Sequence, residues 1–514
     1  MEEPVFRYSG VWRHIFMAAM VLHLSVEDAC AQTRTMTVTA TEPMTTDNPY
    51  GDSSAPVYSL WCHTYGCLGR YDIARNQAIG ILAEKWEAVD PTTWRFTLRK
   101  GLKRQDGGPG PTSADVIHSL NRIRTDPESV QSSFVAMIDK IVAVDDLTFD
   151  IKTKAPAVNL VFALFDRFIV TSAELYKQHG READKKFAFG WGPYKLEQYL
   201  ADRRVVMRKN PDWLEPDGGA TNLSPDVVIL QQMREPEQRV NALLNGEVQV
   251  AKSVPPQLVQ RLESQSGVRV QKTGGIEVMF LAFNNKMAPW TDVRLRRAAA
   301  LAVNRQLIVD RLLGGYGKVQ DGLVGPNQSC YTGPADRTNG YDLAKAKALL
   351  AEAGYPNGGP EIEFNTAVGR YVSDRQVAEA VAQMLRQAGF KVKLNTPEYA
   401  NFWADVRKGQ SPFYYMGRGS VFDPSDSAGQ FLATGGSPRV QYSNPKFDEL
   451  LASQYAEQDP AKRCQIWRQL NQIMIDDLPM HFMWTHTLIT GLRANVEMEI
   501  DMSGEYWLPK SQMK

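Results

Sequence analysis

One short segment, MGRGSVFDPSDS, brings together residue types that can bind a charged solute. Arg418 lies between two glycines, Ser420 follows it, and Asp423 and Asp426 complete the segment. A guanidinium group presents a planar set of donors that matches a carboxylate or phosphate. Glycine, serine, aspartate and proline are also typical of surface turns. The segment therefore has two interpretations, a binding site or a solvent-exposed turn.

The sequence contains no established catalytic motif. Gly-x-Ser-x-Gly, His-Glu-x-x-His and Gly-x-x-x-x-Gly-Lys-Ser/Thr are all absent. His481 and His486 are five residues apart, a spacing that places them on neither one helical face nor one side of a strand. Cys62, His63 and Cys67 supply three potential metal ligands without an evident fourth. We expect no catalytic residue, metal or cofactor, although an exported hydrolase stays an alternative because paired carboxylates need no fixed spacing.

Charge and composition narrow the classes of partner. The 514 residues include 58 Lys and Arg and 58 Asp and Glu, so the formal net charge is +0. A neutral chain lacks the basic field that attracts nucleic acids, and we expect no nucleic-acid partner. With 43% hydrophobic residues, a chain of this length can build two or three folded lobes.

The N-terminal residues have the order of a secretory signal. Arg7 and Arg13 precede the apolar run 15–24, and small residues lead to a cleavage site after Ala31. The run is too short to anchor the chain in a bilayer. We therefore predict that residues 1–31 are a signal peptide and that the mature protein is soluble in the periplasm. Lipidation of Cys30 is a less favoured alternative.

Export changes the chemistry expected of the cysteines. Cys62, Cys67, Cys330 and Cys464 would fold in an oxidising compartment, where disulfides persist. Cys62 and Cys67 are close enough in sequence to form a disulfide around a small loop, and inert thiols are the other reading.

Three segments predict the local structure. Apolar alternation over Trp94–Leu98 indicates a strand. The segment from Thr291 to Gly314 predicts one long helix, with cap residues at its start and glycines at its end. The consecutive segments EIEFNTA, SDRQVAEAVAQMLRQAG and FKVKLN indicate a strand, a helix ending at Gly389 and a strand. A helical crossover of this length joins parallel strands, so an α/β lobe is expected here.

Four longer segments occur in the order typical of one family. They are LAEKWEAVDPTTWRFTLRKGLKRQDGGPGPTSADVIHSLNRI, FGWGPYKLEQYLADRRVVMRKNPDW, FNNKMAPWTDVRLRRAAALAVNRQLIVDRLLGG and YDLAKAKALLAEAGYPNG. With them the chain resembles the extracytoplasmic solute-binding proteins, family 5, which serve ABC importers of peptides, dipeptides and nickel. The resemblance extends over about residues 77–490.

The resemblance implies an α/β fold of the periplasmic binding protein type (type II, cluster C), with three lobes and mixed sheets flanked by helices. Domain I would comprise residues 32–76, 185–278 and 485–514. Domain II would comprise residues 77–184, and domain III residues 279–484. Two backbone strands would form the hinge.

The resemblance also implies the activity. Members of the family capture a solute by closing two lobes around it and deliver it to a membrane permease driven by an ATPase. A ligand that contacts both lobes stabilises the closed state selectively. We expect a non-enzymatic, monomeric receptor for a small peptide-like or polar organic solute. An oligosaccharide or a metal chelate is the alternative ligand.

Family members that bind peptides have an aspartate shortly before an Asp-Pro pair, and it binds the ligand's amino group. If Asp423 and Pro424 are this pair, the aspartate position is taken by Ser420. Arg418 would then favour an anionic or neutral group at this end of the ligand. A gap of one residue in the comparison would instead assign the amine-binding role to Asp423 or Asp426.

Further candidate ligand contacts lie in the same predicted lobe. Arg370 and Tyr371 belong to a loop after a predicted strand, where open α/β sheets bind ligands, and the family uses an arginine near this point for a carboxylate. Trp403 and Tyr415 could line an apolar cleft. For these aromatic residues, packing in the core is the competing role.

Overall fold

The computed structural model describes residues 33–40, 44, 46–52, 54–72, 75, 77–132, 134–165, 167–186, 188–216, 223–326, 328, 330–331, 340–368, 370–418, 423–436 and 438–514. The predicted signal peptide and Ser420 lie outside the described residues. Within the described part of the chain, no helix has both the length and the apolar character needed to cross a bilayer.

The strands are β1 (Thr35–Ala40), β2 (Gly69–Asp72), β3 (Gln77–Gly80), β4 (Ala83–Asp90), β5 (Thr93–Leu98), β6 (Ile138–Ala143), β7 (Thr148–Thr153), β8 (Tyr194–Leu200), β9 (Arg204–Lys209), β10 (Val227–Gln232), β11 (Val250–Ala251), β12 (Val268–Phe283), β13 (Gly317–Val319), β14 (Glu361–Asn365), β15 (Lys391–Asn395), β16 (Phe413–Arg418), β17 (Met480–Arg493), β18 (Val496–Glu497) and β19 (Gln512–Met513).

The α-helices are α1 (Ala55–Thr64), α2 (Ser113–Thr125), α3 (Leu160–Leu164), α4 (Ala173–His179), α5 (Pro236–Asn245), α6 (Val259–Glu263), α7 (Val293–Ala302), α8 (Arg305–Arg311), α9 (Leu343–Glu352), α10 (Asp374–Ala388), α11 (Tyr399–Lys408), α12 (Pro424–Phe431), α13 (Pro445–Ala456) and α14 (Pro460–Asp477). Short 3-10 turns cover Gly180–Asp184, Pro256–Leu258 and Leu508–Lys510.

A mixed sheet runs through the described part of the molecule in the order β15-β14-β16-β12-β17-β11-β1-β10-β9-β8, with β13 paired to β17. The β14–β15 and β1–β10 pairs are parallel, whereas β12 pairs antiparallel with both β16 and β17. A separate antiparallel sheet has the order β4-β5-β7-β6. The helices cover the sheets, so the α/β fold with mixed sheets flanked by helices is confirmed.

The two longest strands, β12 and β17, connect the two halves of the large sheet. Their antiparallel ladder is regular as far as the pair Gly274–Thr487 and resumes at Val278–Thr485. Three residues of β12 therefore lie opposite a single residue of β17, His486, which is more than the two-to-one count of an ordinary bulge and is the pattern of a special bulge. The break divides one continuous pair of strands into two segments that belong to different cores.

The buried residues on the two sides of this break form separate hydrophobic cores. The C-terminal core draws its members from Val278 to Trp484, including Phe283, Trp290 and Phe413. The N-terminal core draws on residues 36–250 and on the final segment 492–508. Two large cores linked by a few strands can move as separate bodies about the links.

Local sequence signals account for several elements. The helix predicted to end at Gly389 is α10, whose buried face packs on the sheet, and its flanking strands β14 and β15 are parallel, as predicted. The strand predicted at Trp94–Leu98 is β5, with Phe96 and Leu98 buried. The capping box at the start of α2 uses Thr112 and Asp115.

The single long helix predicted from Thr291 to Gly314 is wrong. α7 ends at Ala302, Val303 has an extended backbone, and α8 begins at Arg305. The side chain of Asn304 accepts a hydrogen bond from the Leu307 amide at 2.9 Å. An asparagine cap satisfies a free amide at a helix start, which favours a new helix here over continuation of α7.

The described residues include two disulfides. Cys62 bonds to Cys67, closing the turn after α1, and Cys330 bonds to Cys464 on α14. The second bond joins positions that are 134 residues apart in the sequence. It fixes the segment before α9 to the C-terminal core.

Candidate functional site

Arg418 lies at the end of β16, beside the break between β12 and β17. Its backbone pairs with Val278, the residue at which the β12–β17 ladder resumes. The preceding residues of β16 are buried, and Arg418 is half-buried. The end of β16 therefore places a positively charged side chain at the junction of the two cores.

An apolar cavity opens next to Arg418. Its lining comes from β12, β17, α12 and the segment before α9, and consists of Val278, Phe280, Leu323, Arg418, Ser427, Phe431, Leu432, Met480 and Phe482. The cavity has a volume of about 10 Å³, room for about one water molecule, so it is a gap in the apolar wall beside Arg418 and not a pocket of solute size. Arg418 is the charged group in this lining.

Tyr58 of α1 lies within electrostatic range of Arg418. Its ring is 4% exposed, and its hydroxyl has no hydrogen-bond partner within the described residues. Burial raises the pKa of Tyr58, the charges of Arg167 and Arg418 offset part of this rise, and the Asp52 carboxylate adds to it. A buried phenol from the N-terminal part of the chain thus lies near charged groups of both signs, one of which is Arg418.

Asp423 is engaged in a buried ion pair. Arg463 of α14 donates to its two carboxylate oxygens at 2.7 and 2.8 Å, and Gln454 accepts from the same guanidinium group at 2.8 Å. Asp423 also accepts from the Ser425 amide at 3.0 Å and so caps α12. Burial alone would raise the pKa of Asp423, but the charge and hydrogen bonds of Arg463, with those of Ser425, bring it below its ordinary value.

The Asp423 network also touches the N-terminal core. Asn159, the residue before α3, donates from Nδ2 to Ser425 Oγ at 3.1 Å in a buried contact. The Val158 amide donates to the Tyr455 carbonyl at 2.9 Å. The first of these hydrogen bonds joins residues that are 266 positions apart in the chain, and both would break if the two cores separated.

Arg370 and Tyr371 are ordered by the start of α10. The Asp374 carboxylate accepts from both of their backbone amides at 2.9 Å. The Tyr371 hydroxyl donates to the Gly417 carbonyl at 3.1 Å, and the Arg370 guanidinium lies 5.3 Å from the centre of the Tyr371 ring. The structure therefore brings this loop to β16, next to Arg418, while the Arg370 side chain remains exposed.

The two predicted aromatic contacts occupy different environments. Tyr415 is fully buried between Tyr371 and Trp484, and its hydroxyl has no hydrogen-bond partner among the described residues. Trp403 is half-buried on α11 and lies under the guanidinium of Arg439, 4.9 Å from the ring centre. Tyr415 is thus close to Arg370 and Tyr371, whereas the contacts of Trp403 are with α11 and the 439 region.

Sequence reasoning missed Tyr58, Arg167, Asn159 and Glu277. The first three belong to the N-terminal part of the chain, and the relations of Tyr58 to Arg418 and of Asn159 to Ser425 depend on tertiary contacts across more than 200 residues. Glu277 in GGIEVMF stands alone in an apolar run, whereas Arg167 in LFDRFIV follows Asp166. A single charge in a buried strand is costly unless it has a partner, and this signal could have marked Glu277.

Histidines give no support for a metal centre. His481 and His486 are 2% and 4% exposed on β17, and burial lowers the pKa of both. In the described portion of the chain, no group of three or more His, Cys, Asp or Glu side chains is arranged to hold a metal ion.

Comparisons with known proteins agree with this architecture. The Dipeptide-binding protein of Escherichia coli (strain K12) is 25% identical over 483 residues, covering 88% of each chain. The Periplasmic oligopeptide-binding protein OppA of Salmonella typhimurium is 26% identical over 453 residues, covering 79% of this chain and 78% of its own.

Solved structures share the fold. The dipeptide binding protein of Pseudoalteromonas sp. SM9913, in complex with Met-Leu, superposes with a TM-score of 0.81 at 20% identity, over 94% of this chain and 100% of its own. The binding protein AgaA of A. tumefaciens R10, in complex with agropinic acid, gives a TM-score of 0.77 at 24% identity, over 93% and 99%. The family described as "Bacterial extracellular solute-binding proteins, family 5 Middle" matches residues 77–439. Because this match covers most of the chain and the fold agrees, the protein belongs to the bacterial extracellular solute-binding proteins of family 5.

Proposed function

We propose that the protein is the substrate-binding component of an ABC importer, which holds a small peptide-like or polar organic solute between its two cores and releases it unchanged. It acts in the periplasm as a monomer, after removal of residues 1–31, and delivers the solute to an inner-membrane permease driven by an ATPase. The relatives named for dipeptides and oligopeptides support the ligand class. The observation that carries the proposal is the end of β16, where Arg418 lines an apolar cavity of the C-terminal core and lies within electrostatic range of Tyr58 from the N-terminal part of the chain.

The hydrophobic clusters support the proposed domains. Domain III (residues 279–484) has nearly the same bounds as the C-terminal core, which runs from Val278 to Trp484. Domain I (residues 32–76, 185–278 and 485–514) and domain II (residues 77–184) contribute to the N-terminal core, and a smaller separate cluster that includes Leu243, Leu262 and Ile489 lies within domain I. The crossings at 278/279 and 484/485 fall where the β12–β17 ladder resumes after its bulge, which supports these strands as the hinge.

Arg418 is assigned to an anionic group of the solute, together with Arg370. Arg418 is half-buried at the end of β16, and Arg370 is exposed on the loop that Tyr371 joins to Gly417. Closure of the cleft around a solute would exclude water and strengthen charge-assisted hydrogen bonds to both. Tyr371 and Tyr415 contribute apolar surface beside β16. The ligand contact predicted for Trp403 stays a separate prediction, because its ring packs against Arg439. Asp423 acts through α12 and Ser425 because Arg463 already occupies its carboxylate.

The experiment is a thermal-melt panel on protein beginning at Gln32. Free dipeptides, N-blocked dipeptides, amino-acid conjugates, metal chelates and short oligosaccharides are added one at a time. A ligand at a hundred times its dissociation constant should add about 2.7 kcal/mol to the free energy of unfolding. Arg418→Ala should remove the shift given by a carboxylate-bearing ligand, whereas Arg375→Ala, at an exposed position on α10, should retain it. A panel without any shift contradicts the proposed function, and an unchanged shift in Arg418→Ala contradicts the role of Arg418.

A further inference from the structure

A segment between β13 and α9, residues 320–331, forms part of the apolar wall beside Arg418, and we call it the strap. Its described residues are 320–326, 328, 330 and 331. Leu323 lines the gap next to Arg418 together with residues of β12, β17 and α12. Leu323 and Val324 are buried in the C-terminal core, at 4% and 8% exposure. The position of the strap therefore determines the shape of the wall next to Arg418.

Helix α14 holds the strap at two points. The Leu323 amide donates to Asn471 Oδ1 at 2.9 Å. A Cβ atom at Gly322 would lie 1.8 Å from the same oxygen, so only glycine lets the strap approach the helix this closely. At the other end of the strap, Cys330 is bonded to Cys464. Positions 464 and 471 are two helical turns apart, about 10 Å along one face of α14.

The packing under the strap is incomplete. A second gap, with a volume of about 10 Å³, is lined by Asp321 of the strap, by Arg305 and by residues of α14 and β17. Atoms that face a gap lose dispersion contacts on that side. Arg305 donates to the Gln320 carbonyl and to the Asp321 carboxylate, both at 2.7 Å, and so holds the start of the strap. The Gly325 amide donates to Gln328 Oε1 at 2.7 Å, within the strap. The disulfide supplies the covalent attachment at the strap's end.

The same helix holds another wall of the gap beside Arg418. Arg463, the neighbour of Cys464, donates to both carboxylate oxygens of Asp423, which caps α12. Helix α12 and the residue after it supply three lining residues, Ser427, Phe431 and Leu432. Adjacent residues of α14 thus hold two walls, one through an ion pair and the other through a bond that a thiol can open.

The two disulfides differ in their accessibility to a thiol. Cys62 and Cys67 are 3% and 0% exposed. Cys330 and Cys464 are both half-buried, and Gln465, the next residue of α14, is exposed. Thiol–disulfide exchange requires that a thiolate reach one of the sulfur atoms. A dithiol should therefore open Cys330–Cys464 before Cys62–Cys67.

We propose that Cys330 and Cys464 form a redox-sensitive site, at which a dithiol reductant releases the strap and lowers the affinity for solute. One thiolate of the dithiol attacks a cysteine sulfur, and the other cysteine leaves as a thiolate. The second thiol of the dithiol then displaces the first cysteine. Two electrons and two protons pass to the protein, which gains two thiols, and the dithiol becomes a disulfide. This inference rests on the proposed function and adds a control of its site.

The direction of the effect follows from the position of the strap. A released strap occupies its place in the wall for only part of the time, and the apparent affinity falls by that fraction. If the fraction is about a tenth to a third, reduction weakens binding about 3- to 10-fold. Because the wall is apolar at Leu323, the loss should be the same for solutes with different end groups.

The first measurement needs no solute. Protein beginning at Gln32 is treated with dithiothreitol at neutral pH, and alkylation followed by peptide mapping locates the thiols. We expect thiols at Cys330 and Cys464 while the other disulfide stays closed. Hydrogen exchange of the Leu323 and Gly325 amides should become at least about fivefold faster after reduction, and exchange in α7 should not change.

Isothermal titration of the oxidised and reduced protein measures affinity, with Met-Leu and N-acetyl-Met-Leu as probes. If neither binds, the panel compound with the largest melt shift replaces them. The variant Cys330→Ser/Cys464→Ser should bind like the reduced protein and should not respond to dithiothreitol. Asn471→Ala, at the other attachment point, should weaken binding about 2- to 5-fold. Gln469→Ala, at an exposed position on the same helix, is the matched control.

The outcomes separate the inference from the proposed function. Faster exchange in the strap with an equal loss of affinity for all probes supports the inference. Unchanged exchange, unchanged affinity or a loss confined to one probe overturns it and leaves the receptor function in place. Resistance of Cys330–Cys464 to dithiothreitol, or opening of Cys62–Cys67 before it, overturns it in the same way. Absence of binding by every compound of the melt panel in both redox forms overturns both.

Discussion

Arg463→Leu should destabilise the protein strongly because it leaves a buried carboxylate without its partner. The Asp423 side chain is 1% exposed and that of Arg463 10% exposed, and two hydrogen bonds of 2.7 and 2.8 Å join them. Removing one member of such a pair costs about 3–5 kcal/mol, more than half the stability of a marginal domain. The same change frees Gln454 and loosens the cap of α12, which adds to the loss.

The pH dependence of this loss provides a second test. In wild type the pKa of Asp423 is lowered, so its contribution to stability is present above the unfolded pKa and is lost as the pH falls through the folded pKa. In Arg463→Leu, burial without the guanidinium raises the pKa of Asp423 above its unfolded value. The free energy of unfolding of the variant is then reduced most at neutral pH, and the reduction becomes smaller as the carboxyl takes up a proton. The stability difference should therefore shrink between pH 7 and pH 4.

Urea unfolding followed by intrinsic fluorescence measures both effects. Arg468→Leu, at an exposed position on the same helix, should change the free energy of unfolding by less than about 0.5 kcal/mol. Adding Asp423→Asn to Arg463→Leu should restore part of the stability, because the second change removes the stranded charge. A loss below about 1 kcal/mol in Arg463→Leu, or a loss that does not vary with pH, would refute the reasoning.

Three further predictions concern the contact between the cores, the second disulfide and acid stability. Asn159→Ala removes the hydrogen bond to Ser425 and should weaken ligand binding about 2- to 10-fold in titration calorimetry, equally for all ligands. Unchanged affinity would mean that the contact does not stabilise the closed state. Replacing Cys330 and Cys464 by alanine should lower the free energy of unfolding, measured in urea, by about 2–5 kcal/mol, because the disulfide closes a long loop in the unfolded chain. A loss near zero would contradict this prediction. Burial lowers the pKa of His63 to about 4, so its contribution to stability is complete above its unfolded pKa and disappears as the pH falls toward 4. His63→Gln should therefore reduce the drop in the free energy of unfolding between pH 7 and pH 5. An identical drop in wild type and variant would exclude His63 as its source.

Local patterns predicted several elements of the fold. The α10 crossover between parallel strands followed from a helical period between two short alternating segments and from the glycine at its end. The break between α7 and α8 in the 291–314 segment could not be predicted, because the apolar face of the segment continues through Val303. The break depends on the helix cap that Asn304 forms. A cap residue inside a long periodic segment can also lie on a continuous helix, so the sequence alone left this undecided.

Only the side of the candidate site that the C-terminal lobe forms could be predicted from the sequence. Arg418, Arg370 and Tyr371 follow strands of one α/β lobe, where ligand contacts are expected. Tyr58 was not recognised, because its relation to Arg418 depends on tertiary contacts. The pairing of Asp423 with Arg463 likewise joins two helices that have no shared pattern in the sequence. Periodicity and residue spacing in the sequence do not reveal contacts between distant segments.

The central claim is that a solute is held between two cores that move about β12 and β17. Small-angle X-ray scattering of protein beginning at Gln32, with and without a saturating ligand from the melt panel, tests it most directly. The account predicts that the radius of gyration falls when the ligand is added, because the ligand holds the junction at Arg418 closed. A ligand that raises the melting temperature while the radius of gyration stays the same in both states would contradict it.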